Sequence, residues 1–278
     1  MEKRLLTIQD ISCVGKCSTT VALPLISACG IECAVLPSSV LSNHTASGYS
    51  GWTFRDLTED MITVMNQWLK EKIDFDAFYT GYVSKEQIPL ILEIIEKTSR
   101  NGAVTIVDPV MADNGKLYAG FSSDFPQEMK KLVEKADVIM PNLTEASLLL
   151  GIEYKETYTK DEIEDIARKL NELGARNVIL TGVSFDPKML GVAVFDGLTF
   201  DYYFTEKILV SFHGTGDVFA SVVAGALMTG KTLIEASTIA ADIVVESIKA
   251  TLGDDSHWYG VKFEKAIPAL VRKINPSN

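Results

Sequence analysis

Short, uninterrupted apolar runs alternate with amphipathic helical patterns along almost the whole chain. The strand-like runs fall at residues 5–9, 33–37, 77–80, 104–107, 138–140 and 178–181, with helical patterns between them such as 60–72, 85–100 and 160–173. The last of these opens with Thr159-x-x-Glu162, a capping-box signature. Strands that are apolar throughout must be covered on both faces, so the alternation predicts βαβ units with right-handed crossovers. The expected result is a three-layer α/β/α architecture around a mostly parallel sheet. Runs at 190–195 and 199–204 flank Asp196-Gly197, a hairpin signal that predicts an antiparallel edge. Residues 215–230, 233–252 and 263–274 read as helices. No repeat or long linker interrupts the sequence, so residues 1–278 read as a single domain.

In open parallel sheets, ligands bind beyond the carboxyl ends of the strands. Asp10, residues 42–45, Gly81-Tyr82, Asp108, Asn142 with Glu145, and Thr181-Gly182 all fall just past predicted strand ends. Polar residues and glycines therefore converge on one rim. The formal charge of −11 argues against nucleic acid as a partner, because backbone phosphates need a basic face. The opening ten residues are too short and too polar for a signal peptide, and no apolar run would span a membrane. The expected location is the cytoplasm. The cysteines Cys13, Cys17, Cys29 and Cys33 make two C-x3-C pairs, which read as packed thiols more readily than as zinc ligands.

Gly225-x4-Gly230-Lys231-Thr232 matches the Walker A pattern letter for letter. A working P-loop follows a strand and opens a helix, whereas Gly225 lies deep within a helical run, so the match is rejected. The better anion site is His213-Gly214-Thr215-Gly216-Asp217, between the extended segment 207–212 and that same helix. Glycines allow a tight turn that points successive amides at one spot on the positive end of the helix dipole. Asp217 there reads either as a first-turn carboxylate or as a base beside a transferring phosphoryl group. Its position predicts a stabilised anion and hence a weak base. Asp108-Pro-Val-Met-Ala-Asp113 reads as turn chemistry or as a pair of carboxylates for Mg²⁺. Asn142-Leu-Thr-Glu145 reads as a helix cap, or adds Glu145 to that metal-water network.

Together, G-T-G-D, N-x-x-E and D-P-V-M resemble the ribokinase-like superfamily in its branch for pyridoxal-type vitamers and hydroxymethylpyrimidine. Ser42-Asn43-His44-Thr45, Ile8-Gln9 and Thr80-Gly81-Tyr82 are similar to the pyridoxal kinase signatures over roughly residues 4 to 260. The resemblance implies a ribokinase-like fold and ATP-dependent phosphorylation of the hydroxymethyl group of a vitamin B6 vitamer. It implies Asp217 as catalytic base and the amides of Gly214, Thr215 and Gly216 as the anion hole. Asp108, Asp113 and Glu145 would organise Mg²⁺, with Asp108, Asn142, Glu145, Thr181 and Tyr118 on the nucleotide side. Asp10, His44, Thr45 and Tyr82 would meet the acceptor. ATP is the implied co-substrate, a monovalent cation is left open, and relatives are commonly homodimers. One departure stands out: Asp10 replaces the serine of the usual I-Q-S-H. A hydroxymethylpyrimidine kinase and a non-catalytic nucleotide- or vitamer-binding regulator remain as alternatives.

Overall fold

The computed structural model describes residues 2–45, 48–118 and 120–276. Its strands are β1 (Arg4–Ser12), β2 (Glu32–Leu41), β3 (Phe54–Asp56), β4 (Phe75–Thr80), β5 (Ser99–Val107), β6 (Ala112–Asp113), β7 (Lys116–Leu117), β8 (Val138–Ile139), β9 (Asn177–Val183), β10 (Met189–Phe195) and β11 (Phe200–Glu206). Its α-helices are α1 (Thr19–Ala28), α2 (Thr58–Glu71), α3 (Ile88–Thr98), α4 (Phe125–Val133), α5 (Leu143–Leu150), α6 (Lys160–Glu172), α7 (Thr215–Met228), α8 (Leu233–Thr251) and α9 (Ile267–Ile274). Nine of the strands form one sheet in the order β11-β10-β9-β8-β5-β4-β1-β2-β3. The pairs from β9 through to β2 are parallel, and the hairpin β10–β11 supplies the expected antiparallel edge. A second antiparallel edge, β3 on β2, carried no signal in the sequence. The three exposed residues of β3 have neither the length nor the alternation of a strand pattern.

Two hydrophobic clusters lie on opposite faces of the sheet. One joins α1, α7, α8 and α9 to Leu5, Ala77, Tyr79 and Ile179. The other joins α2 to α6 to Leu6, Ile8, Phe78, Val107 and Leu180. Successive residues of β1 and β4 thus enter opposite cores, as the pleat requires, and this is why Leu5, Leu6 and Ile8 of β1 and Ala77, Phe78 and Tyr79 of β4 make short apolar runs rather than a strict alternation. Strand order reverses between β1 and β4, which makes their carboxyl ends the topological switch point.

Several boundaries moved for physical reasons. Helix α3 starts at Ile88 because Pro89, which lacks an amide donor, fits only the first turn. The expected helix 263–274 is a short 3-10 turn followed by α9, with Pro268 again in the first helical turn. Residues 207–212 are irregular instead of extended. Asp10 lies within β1 at a bulge in its pairing with β2, where the expectation put it past the strand. Thr181 likewise lies inside β9. Among the described residues, no helix is long and apolar enough to cross a membrane.

The Walker-like glycine has a packing role. A Cβ on Gly225 would stand 2.7 Å from Cys29 Sγ and 3.4 Å from Ile26 Cα, so the α7 backbone lies directly against α1. Cys29 is buried in that contact, as expected for a packed thiol, whereas Cys13 is exposed. Gly225→Val should overpack this seam and destabilise the protein by about 1–3 kcal/mol. Thermal denaturation checks it through a lowered Tm.

Candidate active site

The switch point gathers four loops. Gly214 caps α7 in the left-handed conformation at φ 81°, and a Cβ there would fall 1.7 Å from the Lys16 carbonyl oxygen. Only a glycine lets the two loops touch. The segment 13–18 is pinned further where the Val14 amide donates to Ser42 and the His44 amide donates back to Val14. The His44 ring lies against Gly15, and its Nε2 donates to the Tyr259 carbonyl at 2.7 Å. His44 also lies 5.1 Å from Tyr49 and 5.3 Å from His213 between ring centroids. The His44 ring therefore packs segment 42–45 against Gly15 and His213, and its Nε2 ties the same segment to Tyr259. Thr45, the next residue, is exposed.

Asp217 sits in the first turn of α7 with its Oδ1 accepting the Ser18 amide at 2.9 Å. The helix terminus was expected to hold it as a weak, stabilised anion. Instead, loss of hydration in the packed cleft pushes its pKa up to about 7, helped by the Asp10 charge. Desolvation outweighs the helix dipole and the single amide. A carboxylate with that pKa is a competent base near neutral pH.

Asp10, only 4% exposed, accepts the Ser12 hydroxyl at 2.9 Å. Burial raises its pKa, while the Ser18 and Ser12 hydroxyls oppose the rise. Burial, and then the charges of Asp10 and Asp56, raise the Tyr82 phenol, and its ring lies 5.4 Å from Phe121 between centroids. Cys17, which the sequence reads as a packed thiol, belongs here too, its thiol raised by burial and then by Asp217 and Asp10. Nothing in its C-x3-C pairing with Cys13 marks it as a lining residue.

Across the rim, Asn142 and Glu145 form a reciprocal cap at the start of α5, each accepting the other's backbone amide at 2.9 Å. Glu145 Oε1 also accepts the Met111 amide at 3.1 Å, and Asn142 Nδ2 donates to the Ala112 carbonyl at 2.8 Å. The cap and the functional geometry are one arrangement, since these bonds bring the D-P-V-M segment onto α5. Asp108 and Glu145 are 8% and 4% exposed, and both have raised pKa values, chiefly from burial. Asp108 is raised further by Glu145 and Asp217. Tyr118, half exposed above them, has its phenol raised by burial and by Glu145.

Asp113 is the third carboxylate of the expected metal set, and it lies in the β6–β7 turn. Its carboxylate accepts the amide and side-chain nitrogen of Asn114 at 2.8 and 3.0 Å, closing the β6–β7 turn. Among the described residues, no group of three or more His, Cys, Asp or Glu side chains is arranged to hold a metal ion. The buried pair Asp108 and Glu145 fits Mg²⁺, which takes one or two carboxylates and keeps several waters. Thr181 meets Asn142 across a short bridge, and its hydroxyl points to the Pro141 carbonyl. A cavity of about 480 Å³ opens beside the glycine turn, lined by Val210, Phe212, Thr251, Leu252 and Trp258. These residues are scattered in sequence and gave no motif.

The family model for phosphomethylpyrimidine kinase matches residues 26–260. A pyridoxal kinase from Dictyostelium discoideum is 29% identical over 243 residues, covering 81% of this chain and 78% of that one. A Bacteroides thetaiotaomicron protein assigned to phosphomethylpyrimidine kinases, crystallised with pyridoxal, superposes with a TM-score of 0.92 at 35% identity, covering 97% and 96% of the two chains. The pyridoxal kinase from Lactobacillus plantarum gives 0.90 at 30% identity, covering 99% of each chain.

Because both carboxyls of the Asp108–Glu145 pair resist ionisation in the fold, the metal-free protein binds more protons folded than unfolded. Its stability therefore falls as pH rises from the ordinary carboxylate range through the raised values. Asp108→Asn should raise the Tm of the metal-free protein at pH 8, by about 2–4 °C per kcal/mol relieved. The gain should shrink at pH 5, and thermal melts at the two pH values check it.

Proposed function

This chain belongs to the phosphomethylpyrimidine kinase family, and we propose that within it the protein phosphorylates the hydroxymethyl group of a vitamin B6 vitamer, with Asp217 as base. It is a phosphotransferase that uses ATP on an alcohol acceptor. The observation that carries the residue assignment is Asp217 itself: one turn into α7, beside the Gly214–Thr215–Gly216 amides, with its pKa pushed up to about 7.

Phosphoryl transfer needs positioning and charge neutralisation more than covalent chemistry. The amides of Gly214, Thr215 and Gly216 hold the negative charge of the transferring group at the positive end of α7. Asp217 accepts the proton of the acceptor hydroxyl as its oxygen bonds to the γ-phosphorus of ATP, while the bond from that phosphorus to the β–γ bridging oxygen breaks and ADP leaves. Asp108 and Glu145 would hold Mg²⁺, which when bound would supply charge neutralisation for the nucleotide phosphates. Asn142, Thr181 and Tyr118 line the nucleotide side, and the cavity beside Trp258 receives the base. Asp10 and Tyr82 take the polar edge of the acceptor ring, with Cys17 against it and His44 holding the segment that bears Thr45. We extend the reading to one catalytic unit over residues 1–278, working as a homodimer in the cytoplasm. A monovalent cation beside the nucleotide phosphates stays an optional part of it.

The second reading, a hydroxymethylpyrimidine kinase, is favoured by the name of the matching family and by Asp10, a stronger acceptor than the usual serine. Ser42-Asn43-His44-Thr45 favours the vitamer. Phosphorylation of pyridoxal, pyridoxine, pyridoxamine and hydroxymethylpyrimidine, with ATP and Mg²⁺, decides between them. Turnover on the B6 vitamers is expected, and turnover on the pyrimidine alone would replace the substrate assignment. Asp217→Asn should lower kcat by about 10²–10⁴-fold while the melting profile keeps its shape. An active Asp217→Asn enzyme would remove the base.

A further inference from the structure

The loop that follows α8 meets the cavity, the glycine turn and the acceptor side of the cleft. Asp254, Asp255 and Trp258 line the cavity assigned to the nucleotide base. The Val261 amide donates to the His213 carbonyl at 3.3 Å, and a Cβ on Gly260 would stand 2.3 Å from Lys16 Cβ, so the loop also backs the glycine turn. On the acceptor side, the Tyr259 carbonyl accepts His44 Nε2 at 2.7 Å. Asp254 steadies the loop from within, its carboxylate accepting the Ser256 amide at 3.0 Å and the Lys262 ammonium.

Trp258 belongs to two of these places at once. Besides lining the cavity, its ring lies 4.7 Å from the Tyr49 ring between centroids, tilted by 59°. Gly48 lies against the same indole: a Cβ there would stand 2.4 Å from Trp258 Cζ3, and its φ is 115°, so position 48 demands glycine. Tyr49 in turn meets the His44 ring edge-on at 5.1 Å. A chain of packed rings therefore runs from the cavity to the residue next to Thr45. Trp258 is nevertheless 43% exposed, which leaves apolar surface at the cavity for a planar ligand to cover.

We propose that Trp258 is a positioning residue that couples the two substrates: a nucleotide base covering its ring holds it against Gly48 and Tyr49, and so tightens acceptor binding. The inference rests on reading the cavity as the base site and the His44–Thr45 side as the acceptor site. The first ligand orders the shared ring, and the second meets a smaller entropic cost. The coupling is reciprocal, so bound acceptor must raise nucleotide affinity by the same factor. Trp258 works through Gly48 and Tyr49 and touches no reacting atom.

The test is calorimetric titration of pyridoxal into the protein alone and into protein saturated with Mg²⁺ and a non-hydrolysable ATP analogue, with the converse titration alongside. Wild type should bind pyridoxal about fivefold or more tightly when the analogue is present, and the analogue should gain equally from pyridoxal. Tyr49→Ala removes a ring outside the cavity lining, so it should keep the wild-type affinity for the analogue alone while the coupling factor falls to about one. Trp258→Ala should lose the coupling and also weaken the analogue, and Trp258→Phe should recover part of both. Equal pyridoxal affinity with and without analogue in wild type would overturn the proposal. So would wild-type coupling in Tyr49→Ala or Trp258→Ala. Either result beside normal turnover of pyridoxal would sink this inference alone. A wild type that binds the analogue but neither binds nor phosphorylates pyridoxal would sink the vitamer reading beneath it.

Discussion

The contact between Gly214 and the Lys16 carbonyl is the junction on which the site depends. A sheet buried on both faces can present polar groups only at its strand ends, and here those ends open at the reversal between β1 and β4. The turn before α7 must approach the loop after β1 closely enough to bring Asp217 to the Ser18 amide. Any side chain at position 214 would separate them. The seam between α7 and α1, where Gly225 meets Cys29, holds the two helices at the matching distance further along. Two glycines thus set where Asp217 stands relative to Asp10.

Electrostatics follow from that geometry. Asp10, Asp108, Glu145 and Asp217 occupy one cleft of an acidic protein, and burial is the largest influence on each. Hydroxyls, backbone amides, His44 and the carboxylates themselves supply the other influences. This arrangement lacks the charge balance of a structural ion-pair network, which would hold its carboxylates low. It suits a site that meets its counter-charge in a ligand. The repulsion should make the empty protein less stable above neutral pH, and bound cation should relieve it.

Much of the fold was legible because parallel strands announce themselves as continuous apolar runs, as at Leu5, Leu6 and Ile8 or Phe78 and Tyr79. The rim residues were legible through motif, since Asp108, Asn142, Glu145 and Asp217 each follow a strand or open a helix. Rejecting the Walker-like match worked because Gly225 fell mid-helix. Other features depend on three-dimensional neighbours. Ser18 gives no hint of a left-handed backbone, because serine is neither glycine nor asparagine. Cys17 looked like half of a cysteine pair. The sequence likewise gives no sign that the Asp113 carboxylate accepts both nitrogens of Asn114 in its own turn. The sign of the Asp217 shift was misjudged for the same reason: helix position can be read along the chain, but desolvation cannot.

The most direct measurement is the pH dependence of phosphoryl transfer to pyridoxal in single turnovers at saturating MgATP. If burial holds Asp217 as a base, the rate should rise tenfold per pH unit on the acid side and level off near the pKa of about 7. A rate that stays flat down to pH 5 would mean that the group in front of the acceptor hydroxyl is already ionised there. That result would contradict the central claim that desolvation outweighs the helix dipole at Asp217.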